Sequence, residues 1–406
     1  MAADRNVLAM VLAGGEGTRL APLTSVRSKP AVPFGARYRI VDFVLSNLVN
    51  SGIYSIYVLV QYRSQSLIEH IRNGWVLAPV LPNHFVTVVP PQMREGPEWF
   101  QGTADAIWQN LNLIKDSGAQ LVAVFGADHI YRMDLRQMID FHCDHHAHVT
   151  VAATPVPRKE ASGFGIMGVD GDGRITSWVE KPKDPPAMPG RPDYSLASMG
   201  NYIFDAEFLI DALLSGRKNN EKDFGHHVIP RLIETRRAFS YDFSKNVVPG
   251  TKDYEEPGYW RDVGTLDAYF EANRDTLGLQ PKLELANRQW PIRSSAYQGP
   301  PANILDAKIH NSHIGAGSRL GSCIIRNSVI RRDVTIEDGA LVEDSIIMDY
   351  CVIRRGAKIR RAIIDRYNVI EANEVVGGDN FDSTRYHRTD TGLVVARMAE
   401  VLPGFD

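Results

Sequence analysis

Twelve apolar residues in the last quarter of the chain fall at Ile314, Leu320, Ile325, Ile330, Ile336, Val342, Ile347, Ile353, Ile359, Ile364, Ile370 and Val376, each five or six positions after the one before. An amphipathic helix cannot produce this rhythm, because its apolar stripe returns at spacings of three and four. A period of five to six is that of a hexapeptide β-helix, in which each unit forms one flat side of a triangular coil. Inward residues of successive coils then stack into a core that runs along the solenoid axis. Irregular hairpins are the alternative, but they have no reason to hold one register over twelve positions. The expectation is a left-handed β-helix over residues 301–406, with Phe381–Asp406 as a cap or a return strand and helix.

A chain of 406 residues exceeds what one core usually supports, so a second domain is expected. Before the solenoid, β-rich runs at Val7–Ala13, Ile56–Val60, Phe85–Val89, Leu121–Phe125 and Val149–Ala153 alternate with helical patterns such as Ile40–Asn50 and Ala104–Lys115. That alternation predicts a Rossmann-like α/β domain with a mostly parallel sheet over residues 1–276. The segment GIMGVDGDGRITSWVEKP reads as a hairpin around its Asp-Gly-Asp-Gly turn. Residues 277–300 lack periodicity, hold several prolines and read as the linker.

The formal net charge of −3 gives no basic field for nucleic acid. Cys143, Cys323 and Cys351 form no CxxC pair, which fits a reducing cytoplasm better than a disulfide framework. The opening MAADRNVLAMVLAGGEG holds an apolar run too short to span a membrane and lacks a signal peptide's cleavage region.

Five segments carry chemistry. LAGGEGTRLAPLTSVRSKP, residues 12–30, follows a strand directly. Gly14, Gly15 and Gly17 let the backbone approach a bulky anion, and Arg19 and Lys29 add two positive charges to the same loop. This loop matches neither G-x-G-x-x-G nor G-x-x-x-x-G-K-[ST]. On these residues alone, a glycine-rich turn without a ligand stays open. In VFGADHIYRMD, Asp128 follows an apolar strand, where it could bind a ligand or cap a helix. In YWRDVGTLDAYFEAN, Asp262 ends a β-like run and Thr265 could cap the helix after it. WVEKP places Glu180 beside Lys181, a pair equally at home on a solvated hairpin. In VPPQMREGPEWFQGTADA, Gln92 and the Gly102–Thr103 turn could read a base edge or simply begin a helix.

Together, GGEGTRL and SKPAVPFG resemble the signature loop of the sugar-1-phosphate nucleotidyltransferases. RIVDFVLSNLVNSGI, QYRSQSL, HIRNGW, GTADA, DHIY, ASMG, DFG and WPIR follow in order and resemble the ADP-glucose-forming branch. The resemblance implies ATP and glucose 1-phosphate as substrates, a place in glycogen synthesis and Mg²⁺ held by Asp128 and Asp262. It implies Gly14, Gly15, Gly17, Thr18, Arg19, Lys29, Gln92, Gly102 and Thr103 around ATP, with Arg19 and Lys29 on the phosphates that leave. It places Lys181 on the sugar phosphate and Glu180, Phe100, Gly165 and Ser198 around the sugar. A UDP- or GDP-sugar enzyme, a bifunctional acetyltransferase-uridyltransferase and a catalytically silent subunit are the competing readings. Retention of Arg19, Lys29, Asp128, Lys181 and Asp262 argues against silence.

The chain departs from the family pattern in three places. Phe100 stands where a Tyr is frequent, His226 where a Lys is common, and Val26 where some relatives carry a Lys that serves the activator. The resemblance further implies a homotetramer and a small-metabolite effector. Arg27, Arg39, Arg385 and Arg388 are the candidates for the effector pocket, should the tail fold back onto the loop. FHCDHHAH admits a metal reading but has no partner cluster, and the run Arg354, Arg355, Lys358, Arg360, Arg361 reads as a solvated face, an anion site or a subunit contact.

Overall fold

The computed structural model describes residues 6–78, 80–93, 96, 98–234, 237–378 and 385–400. Of the expected solenoid cap, residues 381–384 and 401–406 lie outside the described residues.

Val7–Ala13, an almost wholly buried apolar run, becomes a central strand. It pairs in parallel with Ser55–Val60 on one side and Leu121–Gly126 on the other, and Phe85–Val89 extends the parallel half. Beyond Leu121–Gly126 the sheet turns antiparallel through the long strand Tyr194–Asp205, which also pairs with Val149–Pro157. The expected hairpin forms from Gly165–Val169 and Ile175–Glu180. From the central strand the chain moves outward through Ser55–Val60 to Phe85–Val89, then returns to the opposite side at Leu121–Gly126. The carboxyl ends of Val7–Ala13 and Leu121–Gly126 therefore flank a topological switch point, where open α/β sheets place their ligands.

The single helical pattern expected over Ala104–Lys115 is two helices, Thr103–Trp108 and Leu111–Ser117. Asn110 separates them: its backbone N–H bonds the Ile107 carbonyl, and its side-chain amide bonds that of Ala106. Asparagine competes in this way for helix backbone groups.

The tail winds into a three-sided parallel β-helix. One side stacks Asn303–Ile304, Arg319–Leu320, Thr335–Ile336, Val352–Ile353 and Val369–Ile370. The other two sides repeat the pattern, and Val394–Ala396 completes the third. Of the twelve periodic residues, all but the half-buried Ile314 are at most 1% exposed. Among the described tail residues the return is a strand pair, His387–Arg388 with Val394–Ala396, and no helix. Most of the basic run is a solvated face: Arg354, Arg355 and Arg360 pair with Glu371, Asp338 and Glu343 on adjoining coils, while the half-buried Arg361 lies over the Phe270 ring.

On the third side, Val329, Ile346, Ile363 and Val395 point outward yet are buried, because they pack against Leu20, Phe34, Phe43 and Phe270 of the first domain. Each such side chain contributes about 1.5–3 kcal/mol on burial, so the two domains share a firm boundary. The linker joins this boundary: Trp290 and Ile292 are buried, and Ser294 donates to Asp42 at 2.7 Å. The three cysteines are free, and no described helix is long and apolar enough to cross a membrane.

Candidate active site

A cavity of about 730 Å³ opens at the switch point, within the range typical of small-molecule sites. One wall is the glycine loop. Gly17 has φ +65°, and a Cβ there would lie 2.9 Å from Lys29 Cβ, so this position suits glycine on both counts. The close approach folds the loop so that Lys29, two residues past Arg27, lines the cavity.

Asp128 and Asp262 meet there for a simple reason. The short strand Trp260–Asp262 pairs antiparallel with His129–Tyr131, and its register sets Asp262 opposite His129. Lys29 Nζ lies 3.0 Å from Asp128 Oδ2 and 3.0 Å from Asp262 Oδ1. Burial works to lower the Lys29 pKa, but the two carboxylates outweigh it and hold the group above its ordinary value. Asp128 faces the cavity with its side chain 41% exposed. Partial desolvation works to raise its pKa, but the His129 ring and the Lys29 ammonium hold it far below the carboxylate range. Arg19 stays largely exposed, 4.0 Å from Asp262. Asp128 caps no helix; Asp134 takes that role for the next one, and Thr265 caps its own helix as expected.

Lys29 engages one oxygen of each carboxylate; Asp128 Oδ1 faces His129 Nδ1 at 3.5 Å and Asp262 Oδ2 faces Arg19 at 4.0 Å. Donor atoms of Asp128, His129 and Asp262 lie within 4.8 Å of one another. Two carboxylates converging on a cavity suit a hard, oxygen-seeking cation such as Mg²⁺. By contrast, His142 of FHCDHHAH is buried against Thr150 Oγ1 at 2.8 Å and acts as a packed core group.

Glu180, Lys181, Gly165, Ser198 and Phe100 line the same cavity. Glu180 stands opposite Gly165 across the hairpin. Ser198 sits where the long strand loses register with its neighbour, and its hydroxyl accepts from Gly200 N–H at 3.1 Å. Lys181 leaves the hairpin with φ +45° and remains exposed, 3.7 Å from Glu180.

Gly102 and Thr103 line it as well. The Thr103 hydroxyl donates to Asp223 at 2.9 Å and accepts from Phe224 N–H at 3.0 Å. The Ala104 and Asp105 N–H groups bond the Lys222 carbonyl. Gly102 and Thr103 thus line the cavity and also begin a helix. Gln92 stands apart from these residues. It is exposed, its amide donates to the Pro90 carbonyl of its own turn, and it is not among the cavity-lining residues. The glutamines that line the cavity are Gln61 and Gln101. Gln61 pairs with both backbone groups of Phe100, at 2.7 and 3.2 Å. Sequence reasoning also missed Tyr202, Asp223 and Gly225, although Asp223 and Gly225 lie in DFG and Tyr202 follows ASMG by two residues.

The four-arginine effector pocket is also corrected. Arg27 is buried and bonded through Nη2 to both oxygens of Asp365, at 2.8 Å each. Arg385 is tied to Glu374 and the Val369 carbonyl on the solenoid. The cluster at the domain boundary is instead Arg39, Arg331, Arg332 and Arg366 around Asp349. Burial, then the neighbouring Arg366 and Arg331, pull the Arg39 pKa down to about 10. IRRD, MDY and DRY occupy one solenoid corner on consecutive coils, and that repeat was the available signal.

Residues 8–278 match the family described as Nucleotidyl transferase, and residues 300–396 match GlmU-like, C-terminal hexapeptide. A glucose-1-phosphate adenylyltransferase of Thermodesulfovibrio yellowstonii is 59% identical over 91% of this chain and 90% of its own length. Proteins of the same name from an Anaeromyxobacter species and from Corynebacterium jeikeium are 50% and 47% identical, each over 97% of this chain and 98% of their own. Shared length, shared domain order and this level of identity mean that the chain belongs to the glucose-1-phosphate adenylyltransferase family of nucleotidyl transferases.

Proposed function

We propose that the chain transfers the adenylyl group of ATP to glucose 1-phosphate and releases diphosphate. The observation that carries this reading is the convergence of Lys29, Asp128 and Asp262 in one cavity that Glu180 and Lys181 also line. A phosphate oxygen of glucose 1-phosphate attacks the α-phosphorus of ATP, and the bond from that phosphorus to the bridging oxygen of the β-phosphate breaks. The attacking phosphate is already an anion, so no protein nucleophile or general base is required. Catalysis then consists of positioning and charge neutralisation.

Gly14, Gly15, Gly17 and Thr18 cradle the triphosphate, while Arg19 and Lys29 take up charge on the departing diphosphate. Lys181 holds the sugar phosphate, and Glu180 and Ser198 accept from or donate to sugar hydroxyls. Asp128 and Asp262 would hold Mg²⁺, which supplies electrophilic charge to the phosphates when bound. The test is diphosphate release with glucose 1-phosphate, Mg²⁺ and each nucleoside triphosphate in turn. ATP should be preferred, and equal or faster turnover with UTP or GTP would overturn the assignment.

Regulation by a small anionic metabolite is proposed at the boundary cluster. Arg39, Arg331, Arg332 and Arg366 share Asp349 as a close carboxylate, and guanidinium groups suit phosphate and carboxylate ligands. Assembly as a homotetramer through the solenoid is likewise proposed, since closed symmetric oligomers are the common outcome; light scattering near the mass of a single chain would overturn it.

A further inference from the structure

Glu180 is enclosed between two bare backbone positions. A Cβ added to Gly165 would lie 2.6 Å from Glu180 Oε2, and one added to Gly225 would lie 2.5 Å from the same atom. The two glycines differ in what else they touch. At Gly165 the added carbon would also lie 2.5 Å from the Trp178 ring, so that position protects packing as well as the carboxylate. At Gly225 the three nearest atoms are Oε2, Cδ and Oε1 of Glu180, and no other residue is among them.

Backbone geometry gives no reason for glycine at Gly225. The residue lies in the helical turn Phe224–Val228, is buried, and is not among the positions with positive φ. Alanine favours helical backbone over glycine, so the substitution costs nothing there. A Glu side chain is flexible at its far end, and the contact would be relieved by displacing the carboxylate rather than the backbone. We propose that Gly225 is a specificity-determining position: its missing side chain sets where the Glu180 carboxylate stands and hence which sugar hydroxyls it meets. This rests on the reading of Glu180 as a sugar contact.

The same short segment fixes the neighbouring wall. Asp223 is bonded to Thr103, and the Lys222 carbonyl receives Ala104 and Asp105 N–H. Gly225 is therefore carried on a strut that cannot drift away from Glu180 to relieve an added methyl group.

Gly225→Ala should raise KM for glucose 1-phosphate about tenfold or more, the scale of a lost hydrogen bond to a charged group, with KM for ATP within about twofold of wild type. Its melting temperature should equal or exceed that of the wild type. In a Glu180→Ala background, Gly225→Ala should add almost nothing, because the atoms it displaces are gone. If Glu180→Ala itself leaves KM for glucose 1-phosphate unchanged, the sugar-site reading fails. If Glu180→Ala raises that KM but Gly225→Ala alone does not, the role of Gly225 fails. A Gly225→Ala effect that persists undiminished in the Glu180→Ala background, or comes with a lowered melting temperature, would also overturn it as a merely structural perturbation.

Discussion

Arg27 of the substrate loop and Asp365 of the β-helix form an ion pair buried at the domain boundary, at 3% and 0% side-chain exposure. Lys29, which bridges the two cavity carboxylates, follows Arg27 by two residues. The solenoid thus holds the loop from behind while the loop presents its ammonium in front. Removing one member of a buried pair leaves the other charged and uncompensated, which costs about 3–5 kcal/mol. Asp365→Ala should lower the unfolding free energy by that order, read from denaturant titration. Replacing both with apolar residues, Arg27→Met with Asp365→Leu, should recover much of the loss. A single variant within about 0.5 kcal/mol of wild type would mean that the pair does not hold the boundary.

Asp128→Asn and Asp262→Asn should each reduce turnover by about 10² or more while leaving circular dichroism unchanged, the scale of a lost preorganised charge contact. Both reach Lys29 at 3.0 Å, so neither substitution acts on the metal donor set alone. A near-wild-type rate at saturating Mg²⁺ for either variant would remove that carboxylate from the mechanism.

Asp349 gives a pH prediction. Its burial works to raise the carboxyl pKa, but Arg331, Arg366 and Arg332 override it and the value is lowered. A carboxylate with a depressed folded value adds stability above its unfolded value, about 3.9, and loses that stability as pH falls through the folded value. Asp349→Asn should therefore be less stable than wild type at neutral pH, with the gap narrowing only below about pH 4. A gap that stays constant between neutral pH and pH 2.5 would show that ionisation of Asp349 contributes nothing.

The solenoid was legible because its period is local: each coil repeats the same inward position, and eleven of the twelve marked residues are at most 1% exposed. The parallel half of the sheet was legible for the same kind of reason, since buried strands are short apolar runs. The meeting of Asp128 with Asp262 was not legible from residue spacing, because it depends on antiparallel pairing between His129–Tyr131 and Trp260–Asp262, segments distant in sequence. Only the family resemblance suggested it. The domain boundary was written in the sequence and overlooked. Val329-Ile330, Ile346-Ile347 and Ile363-Ile364 are adjacent apolar pairs, and a solenoid needs only one of each pair inside.

The boundary arginines decide the last prediction. Arg39 belongs to the segment between the substrate loop and the helix Val41–Asn50, and its guanidinium donates to the Ser66 carbonyl at 2.9 Å. Arg366 and Arg331 belong to the solenoid, so an anion between them and Arg39 would bind both domains at once. The half-buried Arg39 guanidinium is crowded by like charge, and an anionic ligand relieves that repulsion only when the domains hold their present arrangement. An effector acting here should change apparent substrate affinity by about 5–150-fold, the usual range of coupling energies. The measurement is initial rate at subsaturating ATP with fructose 6-phosphate, fructose 1,6-bisphosphate, pyruvate, AMP and phosphate in turn. Arg39→Ala and Arg366→Ala should each weaken the response while leaving the unactivated rate close to wild type. A flat response across the panel would argue against regulation by these anions. A response that survives both substitutions would place the effector elsewhere, and Arg27, already saturated by Asp365, is not the residue to which it would move.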